Sequence, residues 1–165
     1  MLNSSRKPTD GINHARAKLT ADNPAAPAVG LGMLLRSTDM SFNRALREEL
    51  AGHGVTFSQF QHLRQLWEED GLTQVAISRR IGIQMASSTS VLDSLERARL
   101  IRRLRQAKDR RKINVFLTPA GRALKSPLMA AAVRVNARAR RGISPDAMAM
   151  LFRNLEAIAA NLTDR

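Results

Sequence analysis

Residues 97–112 constrain this chain more than any other stretch. They hold nine Lys or Arg against one carboxylate, Asp109, a net +8. Just before them, residues 84–96 read QMASSTSVLDSLE, where Val91, Leu92 and Leu95 recur at the spacing of one helical face. The small hydroxyl side chains Ser87, Ser88, Thr89 and Ser90 crowd the first turns of that helix. Just after the basic ribbon, Ile113, Val115 and Leu117 alternate with Asn114 and Phe116, which is a strand pattern. Leu100, Ile101 and Leu104 offer the apolar side of a strand before it. A helix followed by a two-stranded basic hairpin predicts a winged helix-turn-helix. The helix would lie in a groove and the wing would grip the backbone beside it.

The flanking segments read as helices. Leu31, Leu34, Leu35, Met40, Leu46 and Leu50 suit a long amphipathic helix over residues 28–51, stopped by Gly52-His53-Gly54. Thr56 with Gln59 three positions on forms a capping box for a second helix, with Phe57, Phe60, Leu63, Leu66 and Trp67 on its buried face. Thr73 caps a short helix through Ile77 and Ile81 that ends at Gly82. The link Gly82-Ile83-Gln84 is then the tight turn of a helix-turn-helix. Thr118-Pro119 starts a helix toward Arg140, and Pro127 inside it predicts a bend or a break. Ser144-Pro145-Asp146 starts a last helix with a stripe of Met148, Leu151, Leu155, Ile158 and Leu162.

Together these elements make a mainly α fold with a small β wing. Residues 55–118 form the DNA-binding lobe, residues 28–54 with 119–165 a helical dimerisation region, and residues 1–27 a polar tail with a short helix at 12–19. Aromatic residues are only 4% of the chain and Tyr is absent, so the core must be aliphatic, which suits packed helices. The formal charge of +13 sits largely in one predicted hairpin, which argues for a polyanionic partner, with a soluble basic surface as the equal alternative on charge alone. With no Cys there is no disulfide, thiolate metal site or thiol-based sensor. No apolar run reads as a signal peptide or a membrane span, so the expected location is the cytoplasm, away from any membrane.

The segment LERARLIRRLRQAKDRRKINVFLTPAGRAL resembles the signature of the MarR-type (multiple antibiotic resistance regulator) winged-helix regulators. The resemblance rests on Leu95-Glu96, Leu100-Ile101, Asp109-Arg110-Arg111 and Leu117-Thr118-Pro119-Ala120-Gly121, with Gly71-Leu72-Thr73-Gln74 and Arg80-Ile81-Gly82-Ile83 upstream. It covers residues 28–163. The family usually has Gly where this chain has Arg99, and often a basic residue where it has Ser90. The resemblance implies a homodimer with the first and last two helices of both chains interlocked. The apolar stripes and the Ala-rich face at Ala130, Ala131, Ala132 and Val135 fit that arrangement, though intrachain packing would also satisfy them.

With Val91, Leu92 and Leu95 inward, Gln84, Ala86, Ser87, Thr89, Ser90 and Ser94 are left for the groove of double-stranded DNA, while Ser88 falls on the inward side. Arg103, Arg105, Lys108, Arg110, Arg111 and Lys112 are candidates for the phosphate backbone and the minor groove, and Arg79 and Arg80 for phosphates beside them. The resemblance places the minor-groove role on Arg111, with Asp109 organising the tip.

The same resemblance implies a small-molecule effector, with an aromatic carboxylate the expected class and no cofactor. Candidate contacts are Met33, Arg36, Met40, Asn43, His53, Phe60, His62, Leu63 and Trp67; for the apolar ones a core role competes, and for His53 and His62 a surface role. No paired metal-ligand spacing, phosphate loop or nucleophile motif is present, so an enzyme is not expected. The expected function is a ligand-released, sequence-specific repressor on a pseudopalindromic operator. The alternatives are an architectural or nonspecific nucleic-acid-binding protein and an enzyme with an acidic substrate.

Overall fold

Hydroxyl side chains set where most of the helices begin. The Thr56 hydroxyl accepts from the Gln59 amide at 3.2 Å, and the Gln59 side chain accepts from the Thr56 amide at 2.9 Å, closing the expected capping box. Thr73 accepts from Ala76 N–H at 3.1 Å, Thr118 from Gly121 N–H at 3.1 Å, and Ser144 from Ala147 N–H at 3.3 Å. Each cap satisfies one of the amide donors that a helix start leaves without an internal partner.

The computed structural model describes residues 30–105 and 113–163. Its elements are α1 (Leu31–Ala51), α2 (Phe57–Glu68), α3 (Gln74–Ile81), α4 (Met85–Arg97), β1 (Ile101–Arg105), β2 (Ile113–Leu117), α5 (Pro119–Ala123), α6 (Lys125–Ala139) and α7 (Pro145–Thr163). The expected polar tail and short helix at 12–19, and Lys108, Asp109, Arg110, Arg111 and Lys112, lie outside the described residues. The chain forms two compact units, Met1–Ser41 and Phe42–Arg165, with the boundary inside α1. In the first, Leu31, Met33, Leu34 and Met40 are exposed.

The second unit has one apolar core. Leu46 and Leu50 of α1, Phe60, Leu63 and Leu66 of α2, and Ile77 of α3 meet Leu92 and Leu95 of α4, the wing base and Leu128 and Val135 of α6. A fully buried Leu or Ile of this kind contributes about 1.5–3 kcal/mol relative to an exposed one. The wing pairs antiparallel, Ile101 opposite Leu117 and Arg103 opposite Val115. The loop before α3 extends it: Gly71 N–H donates to Val115 O at 3.0 Å, and Val115 N–H to Leu72 O at 2.8 Å. Gly71 has φ +84°, and a Cβ there would lie 2.7 Å from the Phe116 ring.

One local expectation changes, and the break expected near Pro127 is found. Leu104 is exposed, because strand alternation puts Ile101 and Arg103 on one side of β1 and Leu104 on the other. The helix after Thr118 breaks at Leu124, three residues before Pro127. A proline removes the amide bond to residue i−4 and clashes with that carbonyl, here Ala123, so a new helix begins and Pro127 falls in its first turn. α7 runs 19 residues without burying one. No helix among the described residues is long and apolar enough to cross a membrane.

Candidate DNA-binding surface

The turn into the recognition helix is fixed by its backbone. Gly82 takes φ 75°, and the amides of Gly82 and Ile83 both donate to Ser78 O, at 3.0 and 3.1 Å. This left-handed residue, which glycine adopts without strain, directs the chain from α3 into α4. α4 then buries Ser88, Leu92 and Leu95 and leaves Gln84, Ala86, Ser87 and Ser90 exposed, with Thr89 half-buried. Thr89 donates to Met85 O at 2.9 Å and Ser90 to Ala86 O at 3.3 Å. Those hydroxyls hold their protons against their own helix and turn acceptor oxygens outward.

The end of α4 is a Schellman motif. Arg99 N–H donates to Glu96 O at 2.8 Å and Leu100 N–H to Leu95 O at 3.0 Å. The residue between must be left-handed, and Arg99 has φ 57°. The chain then enters β1, where Arg103 differs from its expected role. Its Nε and Nη2 donate to Glu96 Oε2 at 2.8 and 2.6 Å, Nη2 also reaches Asp93 Oδ1 at 2.7 Å, and its amide donates to Glu96 Oε1 at 2.9 Å. Its Glu96 bonds, joined by Asp93, push the Arg103 pKa further up, so the guanidinium stays charged. Arg103 is therefore a strut between wing and recognition helix, with Nε and Nη2 already engaged.

The other candidate cations stand differently. Arg105 and Arg79 are exposed, and Arg80 pairs with Glu69. Arg102 lies over the Phe116 ring at 5.8 Å, which keeps a cation on the outer face of the wing. The surface thus offers a polar helix face and a cationic hairpin carried by one core.

The MarR family model matches residues 55–113. The HTH-type transcriptional regulator TtmR of Methylorubrum extorquens is 35% identical over 107 residues, 65% of this chain and 55% of its own length. The transcriptional regulator PA3341 superposes with a TM-score of 0.74 at 30% identity, over 82% of this chain and all of that one (100%). The chain belongs to the MarR family. Bordetella bronchiseptica BpsR, whose DNA binding is regulated by 6-hydroxynicotinic acid, shares the fold with a TM-score of 0.72 at 24% identity, over 78% of this chain and 98% of its own. MarR-family members are DNA-binding transcriptional regulators, and this chain spans about half to two thirds of the length of the curated relatives it matches.

The MarR signature residues have structural tasks that spacing did not disclose. Glu96 holds Arg103. Thr118 donates to Arg99 O at 2.7 Å while capping α5. Gly121 sits so close to the wing base that a Cβ would lie 2.1 Å from Leu100 O. Its own carbonyl accepts from Trp67 Nε1 at 3.0 Å. Asp70 and Arg122 were missed altogether: Asp70 accepts from Leu117 N–H at 2.8 Å and pairs with Arg122 Nη1 at 2.6 Å, and Arg122 Nη2 donates to Leu117 O at 2.9 Å. A carboxylate beside Gly71 in a turn was the only signal.

The effector candidates do not share one environment. Phe60, Leu63 and His62 are core residues. His62 has both ring nitrogens engaged, Nδ1 with Ser58 O at 2.7 Å and Nε2 with the Ser88 hydroxyl at 3.0 Å, and is fully buried. Met33, Arg36, Met40 and His53 are exposed, while Asn43 and Trp67 are half-buried. An open cavity of about 430 Å³ lies beside the start of α2, lined by Arg47, Val55, Thr56 and Phe57 among others, and holds none of the nine candidates. No cluster of three His, Cys, Asp or Glu able to hold a metal occurs among the described residues.

Proposed function

We propose that this chain is a sequence-specific repressor that binds a pseudopalindromic operator as a homodimer and leaves it when a small anionic aromatic ligand binds. The observation that carries the reading is the Arg103 strut, which fixes a cationic hairpin against a helix whose outer face is hydroxyl-rich. Gln84, Ala86, Ser87, Thr89 and Ser90 contact base edges, where hydroxyls and small apolar groups suit mixed or thymine-bearing positions. Arg79, Arg105, Lys108, Arg110, Arg111 and Lys112 hold phosphates and the minor groove, with Asp109 ordering the tip. Arg80 joins them when it exchanges Glu69 for a phosphate.

Residues 28–54 and 119–165 make the dimer. α7 supports this, since its Met150, Leu151 and Phe152 stay exposed in one chain and no residue of the helix is buried. A two-fold dimer presents two recognition helices to half-sites about one helical turn apart, and occupying a promoter in this way blocks transcription. Effector contacts come from Met33, Arg36 and Met40, with Arg36 as the carboxylate partner. The chemistry of the ligand on BpsR, an aromatic acid, is of the class such a cation suits.

The test is operator binding with increasing salt, then with aromatic acids. A dimer neutralising about six to eight phosphates has a log–log slope of about −5 to −7. Benzoate- and nicotinate-like acids should release the DNA and change the emission of Trp67, the single Trp of the chain. Arg36→Leu should abolish both responses. A response unchanged in that variant moves the ligand elsewhere.

A further inference from the structure

A neutral hydrogen bond lies at the centre of the lobe, between α2 and the recognition helix. His62 and Ser88 are both fully buried, at 0% exposure, amid Leu63, Leu66, Leu92 and Leu95. The Ser58 carbonyl can only accept, so His62 Nδ1 carries the proton and Nε2 is left as an acceptor for the Ser88 hydroxyl at 3.0 Å. Neighbouring Thr89 and Ser90 turn their hydroxyls back to their own helix, and Ser88 reaches across to another. A second bond, Gln59 Nε2 to Ser94 Oγ at 3.1 Å, joins the same two helices further along. Two such bonds fix both the rotation and the slide of α4 on α2, which apolar contacts alone leave loose.

We infer that the His62–Ser88 bond holds the recognition helix in its reading position, so that DNA binding requires a neutral His62 and operator affinity is lost in acid. The inference rests on the DNA-binding reading above. Protonation would place an Nε2–H donor against the Ser88 O–H donor and force that hydroxyl to turn away. The new charge would have no counter-ion. The charged groups of the elements packed against α2 are committed elsewhere or face solvent. Asp93 and Glu96 hold Arg103, Arg80 pairs with Glu69, Arg134 with Glu49, Asp70 with Arg122, and Lys125 Nζ lies 3.4 Å from Trp67 O. Arg44, Glu48, Arg79, Arg97 and Arg138 are exposed, Arg47 is exposed over the Phe57 ring, and Arg64 and Glu68 of α2 itself are exposed and pair with each other. Burial accordingly lowers the His62 pKa, and the Ser58 bond offsets this only in part. The switch therefore works below the ordinary histidine range. Its sign opposes the usual gain in DNA affinity that a basic protein makes as its other groups protonate.

The experiment measures operator affinity of the full-length chain between about pH 7.5 and about pH 5, with circular dichroism at each pH to follow folding. Wild type should lose affinity as the pH falls below the ordinary histidine range, toward a limit of tenfold per pH unit for each subunit. His62→Gln keeps a neutral acceptor for Ser88 but cannot take the charge, so its acid loss should vanish whatever its affinity at neutral pH. His62→Leu/Ser88→Ala removes both polar groups together, which proteins tolerate better than losing one, and should also be flat in acid. Either flat variant against a falling wild type supports the inference. A wild-type profile that is flat or rises in acid overturns it, as does an acid loss that persists in both variants, which would pass to another group such as exposed His53. Absence of any specific binding at neutral pH would instead sink the DNA-binding reading, and the inference with it.

Discussion

Arg103 donates to Glu96 Oε2 through Nε and Nη2, at 2.8 and 2.6 Å, so the first strand of the wing is clamped to the last turn of the recognition helix. The Arg103 side chain is only 22% exposed, which separates this pair from a solvent-screened surface bridge. Arg103→Ala should cost about 1.5–3 kcal/mol of stability, the range for hydrogen bonds to charged groups. It should weaken DNA binding without flattening the salt dependence. Arg105→Ala should do the reverse: stability within about 0.5 kcal/mol of wild type, and a log–log salt slope smaller by about 1 per subunit. Chemical denaturation and binding at several salt concentrations separate the two. Equal slope changes would return Arg103 to the phosphate contacts.

Arg99 occupies the position of the Schellman motif where glycine is strain-free, at φ 57°. A side chain held left-handed costs about 1–2 kcal/mol relative to the ordinary helical region. Arg99→Gly should therefore raise the unfolding free energy by about 1 kcal/mol, less the greater chain entropy that glycine brings. The measured quantity is the shift in urea midpoint. A loss of stability would show that the Arg99 side chain makes a contact worth more than the strain.

Gly121→Ala should do the opposite. Its Cβ would meet the Leu100 carbonyl at 2.1 Å, backbone against backbone, where no rotamer can relieve the clash. Loss of about 3 kcal/mol or more is expected, with the Trp67 emission altered because Trp67 donates to the Gly121 carbonyl. Unchanged thermal unfolding would mean that α5 can move off the wing base.

Capping, turn and strand signals were legible because their physics is local. Thr56 with Gln59, Thr73, Thr118 and Gly82 all act within four residues of their partners, and the alternation of β2 needs no tertiary information. The polar braces were not legible, since His62 and Ser88 are 26 positions apart and Asp70 and Arg122 are 52 apart. The Arg103 clamp escaped notice for a different reason. Counting charges ignored the strand phase, which turns it inward beside Ile101 and turns Leu104 out. Phe60 and Leu63 look alike as pocket lining or as core in a sequence, and only burial separates them.

His62 also predicts the acid stability of the lobe. Burial depresses its folded-state pKa below the unfolded value, which is near 6.5. The unfolded chain then binds more protons, so this contribution is complete above about pH 6.5 and is lost as the pH falls through the folded value. The denaturation midpoint should drop between about pH 7 and about pH 5 by more in wild type than in His62→Gln. Parallel curves would show that other groups govern acid unfolding.

The central claim is that the hydroxyl face of α4 reads a defined operator. Selection of bound fragments from a random DNA pool, followed by sequencing, tests it most directly. The expected result is one pseudopalindrome with half-sites about one helical turn apart, bound at least about a thousandfold more tightly than random DNA. In Ser87→Ala or Ser90→Ala one base position per half-site should relax by about 1–3 kcal/mol. Enrichment of no sequence above background, with affinity tracking salt alone, would contradict the account and leave a nonspecific DNA-binding protein.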